Sequence, residues 1–242
     1  MWETALWGGI AGSAVLMGAL AGIYLKVKRS IIAYIMAYGT GVLIGAATFE
    51  LLILSLRDGG MELTVLSFIL GAIIFTLFDL LISKKGGRER KRSRKRPEGG
   101  SGLALFIGTV LDSIPESFII GVSFADGGSA SWLLMAAVFI SNIPEGLSSS
   151  VGLLKDGYSK AKVQLLWLSV FALSVLSSMA GYTMLRDKPE GLAAVVSSFS
   201  AGAVVAMVSS TMMPEAYEDG GPVVGFIAAL GLISSLVLAK LG

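Results

Sequence analysis

Long apolar stretches, separated by short polar connections, follow one another along almost the whole chain. A membrane-spanning helix needs about 20 consecutive, mainly apolar residues, and eight stretches reach that length. Their approximate bounds are 4–25, 31–55, 62–83, 102–125, 130–154, 162–185, 190–213 and 222–240. The pattern therefore predicts an all-α polytopic membrane protein, a bundle of eight transmembrane helices that forms a single domain over residues 1–242.

The positions of the basic residues predict how these spans are oriented. With the N-terminus outside the cell, fifteen of the nineteen Lys and Arg residues face the cytoplasm, which is where membrane proteins concentrate them. Nine of the fifteen lie in one basic cytoplasmic loop, at about residues 84–100, between spans three and four. The first span begins Met1-Trp2-Glu3 without a preceding basic residue, so we expect a retained helix and not a cleaved signal peptide. A multi-pass protein of the cell membrane, with both termini extracytoplasmic, is the expectation.

Composition narrows both the partners and the chemistry. Only 15% of the residues are charged, against about 25% in soluble proteins. The basic loop contains no aromatic residue, so we expect it to contact anionic membrane lipid and not nucleic acid. The chain has no Cys and no His. Any metal site must therefore use oxygen ligands or a Met thioether, and any general base must be a carboxylate, a Lys or a Tyr.

Five acidic residues interrupt the apolar spans, and no Lys or Arg lies deep in any span to neutralise them. A charge at the centre of a membrane helix costs about 2.5–3.5 kcal/mol on insertion scales. These carboxyl groups must therefore be protonated, or a cation must lie among them. The five are Glu50, Asp79, Asp112, Glu116 and Glu145.

Two of the spans carry the same motif, 29 residues apart. The fourth span reads Asp-Ser-Ile-Pro-Glu-Ser over residues 112–117, and the fifth reads Ser-Asn-Ile-Pro-Glu-Gly over residues 141–146. Asp112 and Glu116 are four residues apart, which puts both carboxyl groups on one helix face. Each proline leaves a backbone carbonyl without its helical donor, and a bound cation can satisfy that carbonyl.

Carboxylate, amide, hydroxyl and carbonyl oxygens are the ligands that hard divalent cations prefer. The duplicated motif therefore predicts a metal site built from Asp112, Ser113, Glu116, Ser141, Asn142 and Glu145. Glu50, in the outer part of the second span, is either a further ligand on the pathway or a carboxylate at the membrane interface.

The residues alone leave other functions open. The prolines could be packing kinks beside protonated carboxyl groups. The same site could carry a proton or a monovalent cation, and the acidic residues could form the shared-proton pair of an intramembrane enzyme. A membrane sensor that binds a metal without moving it is a further alternative.

At this point the pattern resembles the ZIP family of divalent metal-ion transporters, the zinc/iron permeases. Members have eight spans, external termini and a long polar loop between spans three and four. Their fourth and fifth spans carry a His-Asn-x-Pro-Glu-Gly type of signature, which residues 112–117 and 141–146 resemble. Residues 41–52 are similar to the family's Gly-rich second helix, and Pro214-Glu215-Ala216 is similar to the end of its seventh helix.

The resemblance implies transport of a divalent cation of the zinc, iron or manganese class, by elevator-type alternating access, in a homodimer with a binuclear metal site. The metal is then the transported substrate, and neither a cofactor nor an enzymatic activity is expected. The positions that match the signature residue for residue are Pro115, Glu116, Asn142, Pro144 and Glu145. Asp112 and Ser141 stand where the family usually has His, so we expect selectivity shifted from zinc toward Mn²⁺, Fe²⁺ or Mg²⁺.

Overall fold

The computed structural model describes residues 2–84, 101–125 and 131–241, and nine α-helices lie in those ranges. The predicted basic loop, apart from Lys84 at its beginning, lies outside the described residues. The helices are α1 (Trp2–Tyr24), α2 (Arg29–Ala46), α3 (Ile53–Lys84), α4 (Ser101–Ser123), α5 (Trp132–Lys155), α6 (Lys160–Leu185), α7 (Glu190–Met207), α8 (Met213–Gly220) and α9 (Val223–Leu241).

Two π-helical segments interrupt otherwise continuous helices. The first, Ala47–Leu52, joins α2 to α3, and the second, Val208–Met212, joins α7 to α8. Each follows an α-helix of 18 residues. Gly60 then breaks α3, because its φ of 75° and ψ of 171° are not helical, and this is a conformation that only glycine adopts readily.

Local chemistry fixes where the motif-bearing helix α5 and its neighbour α6 begin. The Ser131 hydroxyl accepts a hydrogen bond from the Leu134 N–H at 3.1 Å, and Ser159 accepts one from the Lys162 N–H at 3.3 Å. Both are N-caps, which satisfy a backbone donor that the first helical turn leaves unpaired. Gly157, at a φ of 87°, makes the turn between the two helices.

The helices have the lengths and composition of a membrane protein. Within the described ranges, six helical stretches are long and apolar enough to cross a bilayer. They are Trp2–Tyr24, Arg29–Leu81, Phe106–Ser123, Lys160–Leu185, Gly191–Gly220 and Val223–Lys240. The prediction of an all-α multi-pass class is confirmed, whereas the number of eight spans stays a prediction.

The helices pack as two sets. The first helix set is α1, α4, α5 and α6, in which α1 packs on α5 and α6, and α4 packs on the same two helices. The second helix set is α2, α3, α7, α8 and α9, in which α3 packs on α7 and α2 packs on α8 and α9. The main contact between the sets is made by α2 and α5.

Reciprocal glycine contacts bring the helices within each set together. A methyl group on Gly18 of α1 would collide with the carbonyl oxygen of Ile143, and one on Gly146 of α5 would collide with that of Val15. Small residues at such positions let two backbones meet, which is how membrane helices gain packing energy. The same reciprocal arrangement joins α4 to α6, α2 to α9 and α3 to α7, through Gly121 and Gly181, Gly41 and Gly231, and Gly71 and Gly202.

We expect Gly18→Ala to separate α1 from α5 and to destabilise the protein. Overpacking costs about 1–3 kcal/mol, which corresponds to a melting temperature roughly 3–10 °C lower. Thermal unfolding in detergent measures it. Gly225→Ala is the matched control, because a Cβ at Gly225 meets nothing within 4 Å. Equal melting temperatures for the two variants would contradict the role of this contact.

Candidate metal centre

The duplicated motif lies on two helices that pack against each other, α4 and α5. Both helices continue through their prolines. Pro144 is buried, whereas Pro115 is exposed. All six predicted ligands within the motif are buried, namely Asp112, Ser113, Glu116, Ser141, Asn142 and Glu145. The two helices therefore bring a concentration of polar atoms into an apolar bundle.

Glu116 lies at the centre of this polar group. Asp112, one turn away on α4, acts on its carboxyl group by charge repulsion, and the side chain of Asn142 reaches it from α5. Nevertheless, neither carboxyl oxygen of Glu116 nor Oδ1 of Asn142 has a partner in hydrogen-bonding geometry. A buried polar atom without a partner costs about 1–3 kcal/mol, and more when it is charged. Three acceptor oxygens that lack a hydrogen bond of good geometry are an arrangement that a cation would stabilise.

The serines of the motif keep oxygen atoms available as neutral ligands. Ser113 donates its hydroxyl hydrogen to the Thr109 carbonyl at 2.7 Å, and Ser141 donates to the Val138 carbonyl at 3.1 Å. A hydroxyl that donates to the backbone keeps its two acceptor lone pairs. Ser113 and Ser141 can therefore each offer an oxygen to a cation without losing the helical hydrogen bond.

The structure does not gather all the predicted carboxylates at one point. Among the described residues, no group of three or more Asp and Glu side chains lies close enough to hold one metal ion. Glu145 is buried on α5, one turn from Ser141. Glu50 is half-buried in the π-helical segment Ala47–Leu52, and that segment packs on both α7 and α5. The ligand roles of Glu145 and Glu50 stay predictions.

Two polar contacts near the motif were not predicted from the sequence. The hydroxyls of Thr109 and Ser149 lie 3.1 Å apart and join α4 to α5. Ser148 donates a hydrogen bond to the Glu215 carboxylate at 2.8 Å. The available signal was the run of three serines at residues 148–150, within about one helical turn after the motif on α5.

A third contact supports α4 at its proline. Ser177 of α6 donates its hydroxyl to the carbonyl of Ile114 at 2.7 Å. This carbonyl immediately precedes Pro115, where a proline ring crowds the helix backbone. The α6 helix therefore holds the turn of α4 from which Glu116 projects.

Glu116→Gln is expected to separate metal binding from folding. In metal-free protein the variant should be at least as stable as wild type, because a neutral amide removes the repulsion from Asp112. A divalent cation should raise the melting temperature of wild type and should no longer raise that of the variant. Thermal shift with Zn²⁺ or Mn²⁺ measures both effects. Glu62→Gln, at an exposed position on α3, should keep the wild-type shift. A full metal-induced shift in Glu116→Gln would rule Glu116 out as a ligand.

Comparison with known proteins identifies the family of the chain. The family described as "ZIP Zinc transporter" matches residues 99–239, which include α4 to α8 and most of α9 with both motifs. A protein of Arabidopsis thaliana named "Putative zinc transporter" is 27% identical over 180 residues, which are 73% of this chain. The chain spans 29% of the length of that relative. The family match extends over more than half of the chain and confirms the resemblance drawn from the two Pro-Glu motifs: the chain belongs to the ZIP zinc-transporter family.

Proposed function

We propose that this protein moves a divalent metal cation across the cell membrane, as uptake by alternating access, through a site between α4 and α5. The observation that carries the proposal is the set of unpartnered oxygens on Glu116 and Asn142 beside Asp112. Two acidic groups buried one helical turn apart are unfavourable as ions unless a cation or protons neutralise them. Family membership supports the choice of a transported metal.

The charge of the site fits a divalent ion. Asp112 and Glu116 supply two negative charges on one face of α4, which balance one divalent cation. Asn142, Ser113 and Ser141 add neutral oxygens, and Glu145 is a third carboxylate for a second ion or for the pathway. Glu50 lies on that pathway on the outer side. Because metal ligands must be deprotonated, protons compete with the cation, and low pH favours its release.

Eight crossings are the topology that fits this function. The stretch Arg29–Leu81 has 53 residues, about 80 Å of helix, which exceeds twice the ~30 Å hydrocarbon thickness. Gly60 lies near its middle and provides the reversal. The remaining crossing is α5. The polar motif makes this helix less apolar than the other spans, but it packs against α1, α2 and α4. Eight crossings put fifteen of the nineteen basic residues in the cytoplasm and both termini outside. The family resemblance adds a homodimer. Separately, the charge of the basic loop favours contact with anionic lipid headgroups.

Replacing both motif glutamates, Glu116→Gln with Glu145→Gln, is expected to abolish metal flux. The amides keep the size of the side chains and remove the charge that binds the ion. Uptake of ⁶⁵Zn²⁺ or Mn²⁺ into proteoliposomes measures the flux, and Glu62→Gln should transport as wild type. Flux within about twofold of wild type in the double variant would exclude this site. Wild-type flux of K⁺ or protons without a divalent ion would favour the monovalent alternative.

The oxygen-only ligand set predicts a metal preference. Carboxylate and hydroxyl ligands suit hard ions, while imidazole favours zinc. Asp112→His with Ser141→His should therefore strengthen zinc binding relative to manganese. Calorimetric titration of both proteins with each metal measures the ratio. An unchanged zinc-to-manganese ratio would show that positions 112 and 141 do not face the metal.

A further inference from the structure

A hydrogen bond connects the two helix sets close to the proposed site. Ser148, on α5 of the first helix set, donates its hydroxyl to Oε1 of Glu215, on α8 of the second, at 2.8 Å. The backbones of α5 and α8 scarcely approach each other elsewhere in the described structure. The hydrogen bond therefore joins α5 and α8 at a place where their backbones make few close contacts.

The bond lies just beyond the site, toward the C-terminal end of α5. Ser148 follows Glu145 by three residues, about one helical turn. Glu215 follows Pro214 and the π-helical segment Val208–Met212. At the same end, the Thr109–Ser149 contact already ties α4 to α5 within the first helix set. The bond therefore joins the two helix sets about one helical turn from the proposed site.

This contact differs in kind from those within each helix set. Within the sets, backbones meet at reciprocal glycines, and these contacts cannot be released without separating whole helices. The Ser148–Glu215 bond is polar and only partly buried. Because the contact is partly exposed, water can take the place of the hydrogen bond when it breaks, which lowers the cost of opening. Such a bond can be broken and remade in every transport cycle.

We propose that the Ser148–Glu215 hydrogen bond is a latch that holds α5 against α8 and closes this end of the site until the two helix sets shift. Ser148 and Glu215 act as positioning residues: they set how long this conformation lasts. The inference rests on the proposed transport function, because a latch matters only if the site opens to both sides.

The kinetic test uses Ser148→Ala, Ser148→Thr and Glu215→Ala in proteoliposomes with Zn²⁺ or Mn²⁺. Loss of the latch should raise kcat about threefold and leave KM within twofold, because the bond stabilises one state without touching the ion. Ser148→Thr keeps the hydroxyl and should match wild type. In a Glu215→Ala background, Ser148→Ala should have no further effect, since its partner is already absent.

Cross-linking tests whether α5 and α8 separate during transport. The chain has no cysteine, so Ser148→Cys with Glu215→Cys gives an unambiguous pair for a short bifunctional thiol reagent. Cross-linking should lower flux at least tenfold, and a cleavable reagent should restore it under reduction. The control pair is Gly9→Cys with Val175→Cys, which joins α1 to α6 within the first helix set, because a Cβ at Gly9 would lie 3.7 Å from Cγ2 of Val175. Its cross-link should leave flux within twofold.

Three results would overturn the latch. They are a kcat for Ser148→Ala equal to or below wild type, additive effects of Ser148→Ala and Glu215→Ala, and full flux in the cross-linked Ser148–Glu215 pair. Any of these with normal wild-type metal flux would reject the latch and leave the proposed function standing. A wild-type protein that moves no divalent ion would reject both.

Discussion

A carboxyl group buried in the middle of a membrane helix must give up its charge or share it with a cation. In this protein Asp112 and Glu116 lie on one face of α4, and both are buried. Asn142 reaches Glu116 from α5 with its own carbonyl oxygen unpartnered. When the carboxyl groups are ionised, their oxygens and the amide oxygen of Asn142 can only accept hydrogen bonds. No lysine or arginine lies deep in the predicted spans to neutralise the charge. The arrangement is unfavourable when ionised and empty, and it becomes favourable when a metal ion enters.

The surrounding helices keep that arrangement in place. The α5 helix is held against α1 through Gly18 and Gly146, while Gly121 and Gly181 join α4 to α6 in the same way. The second helix set repeats the device, and its two π-helical segments both begin after 18 residues of α-helix, in α2 and in α7. Between the sets, α2 meets α5, where Gly39 lies against the backbone of Ser141. The face of α4 that carries Asp112 and Glu116 therefore belongs to a helix set packed through close glycine contacts.

The sequence predicted the fold class and the content of the motif better than it predicted the three-dimensional contacts. Apolar length identified the helices, because the bilayer leaves few other ways to satisfy the backbone. The repeated Ile-Pro-Glu motif identified Glu116 and Asn142, which the structure brings together.

The π-helical segments had no sequence signal, since they depend on how α2 and α7 pack against neighbours. The structure does not gather Glu145 with Asp112 and Glu116 around one point. The sequence could not show this, because helical periodicity relates residues on one helix and does not give the distance between two helices. The Ser148–Glu215 contact joins residues 67 positions apart, which no local pattern encodes.

The proposed binding of a divalent cation between α4 and α5 is tested directly by a crystal structure of the protein soaked with Mn²⁺ or Zn²⁺. Anomalous scattering recorded at the absorption edge of each metal locates and identifies the ion. We expect an anomalous peak at about 2.0–2.2 Å from oxygens of Glu116, with Asp112 or Asn142 completing the site. A fully occupied metal elsewhere in the protein, with no peak between α4 and α5, would contradict it.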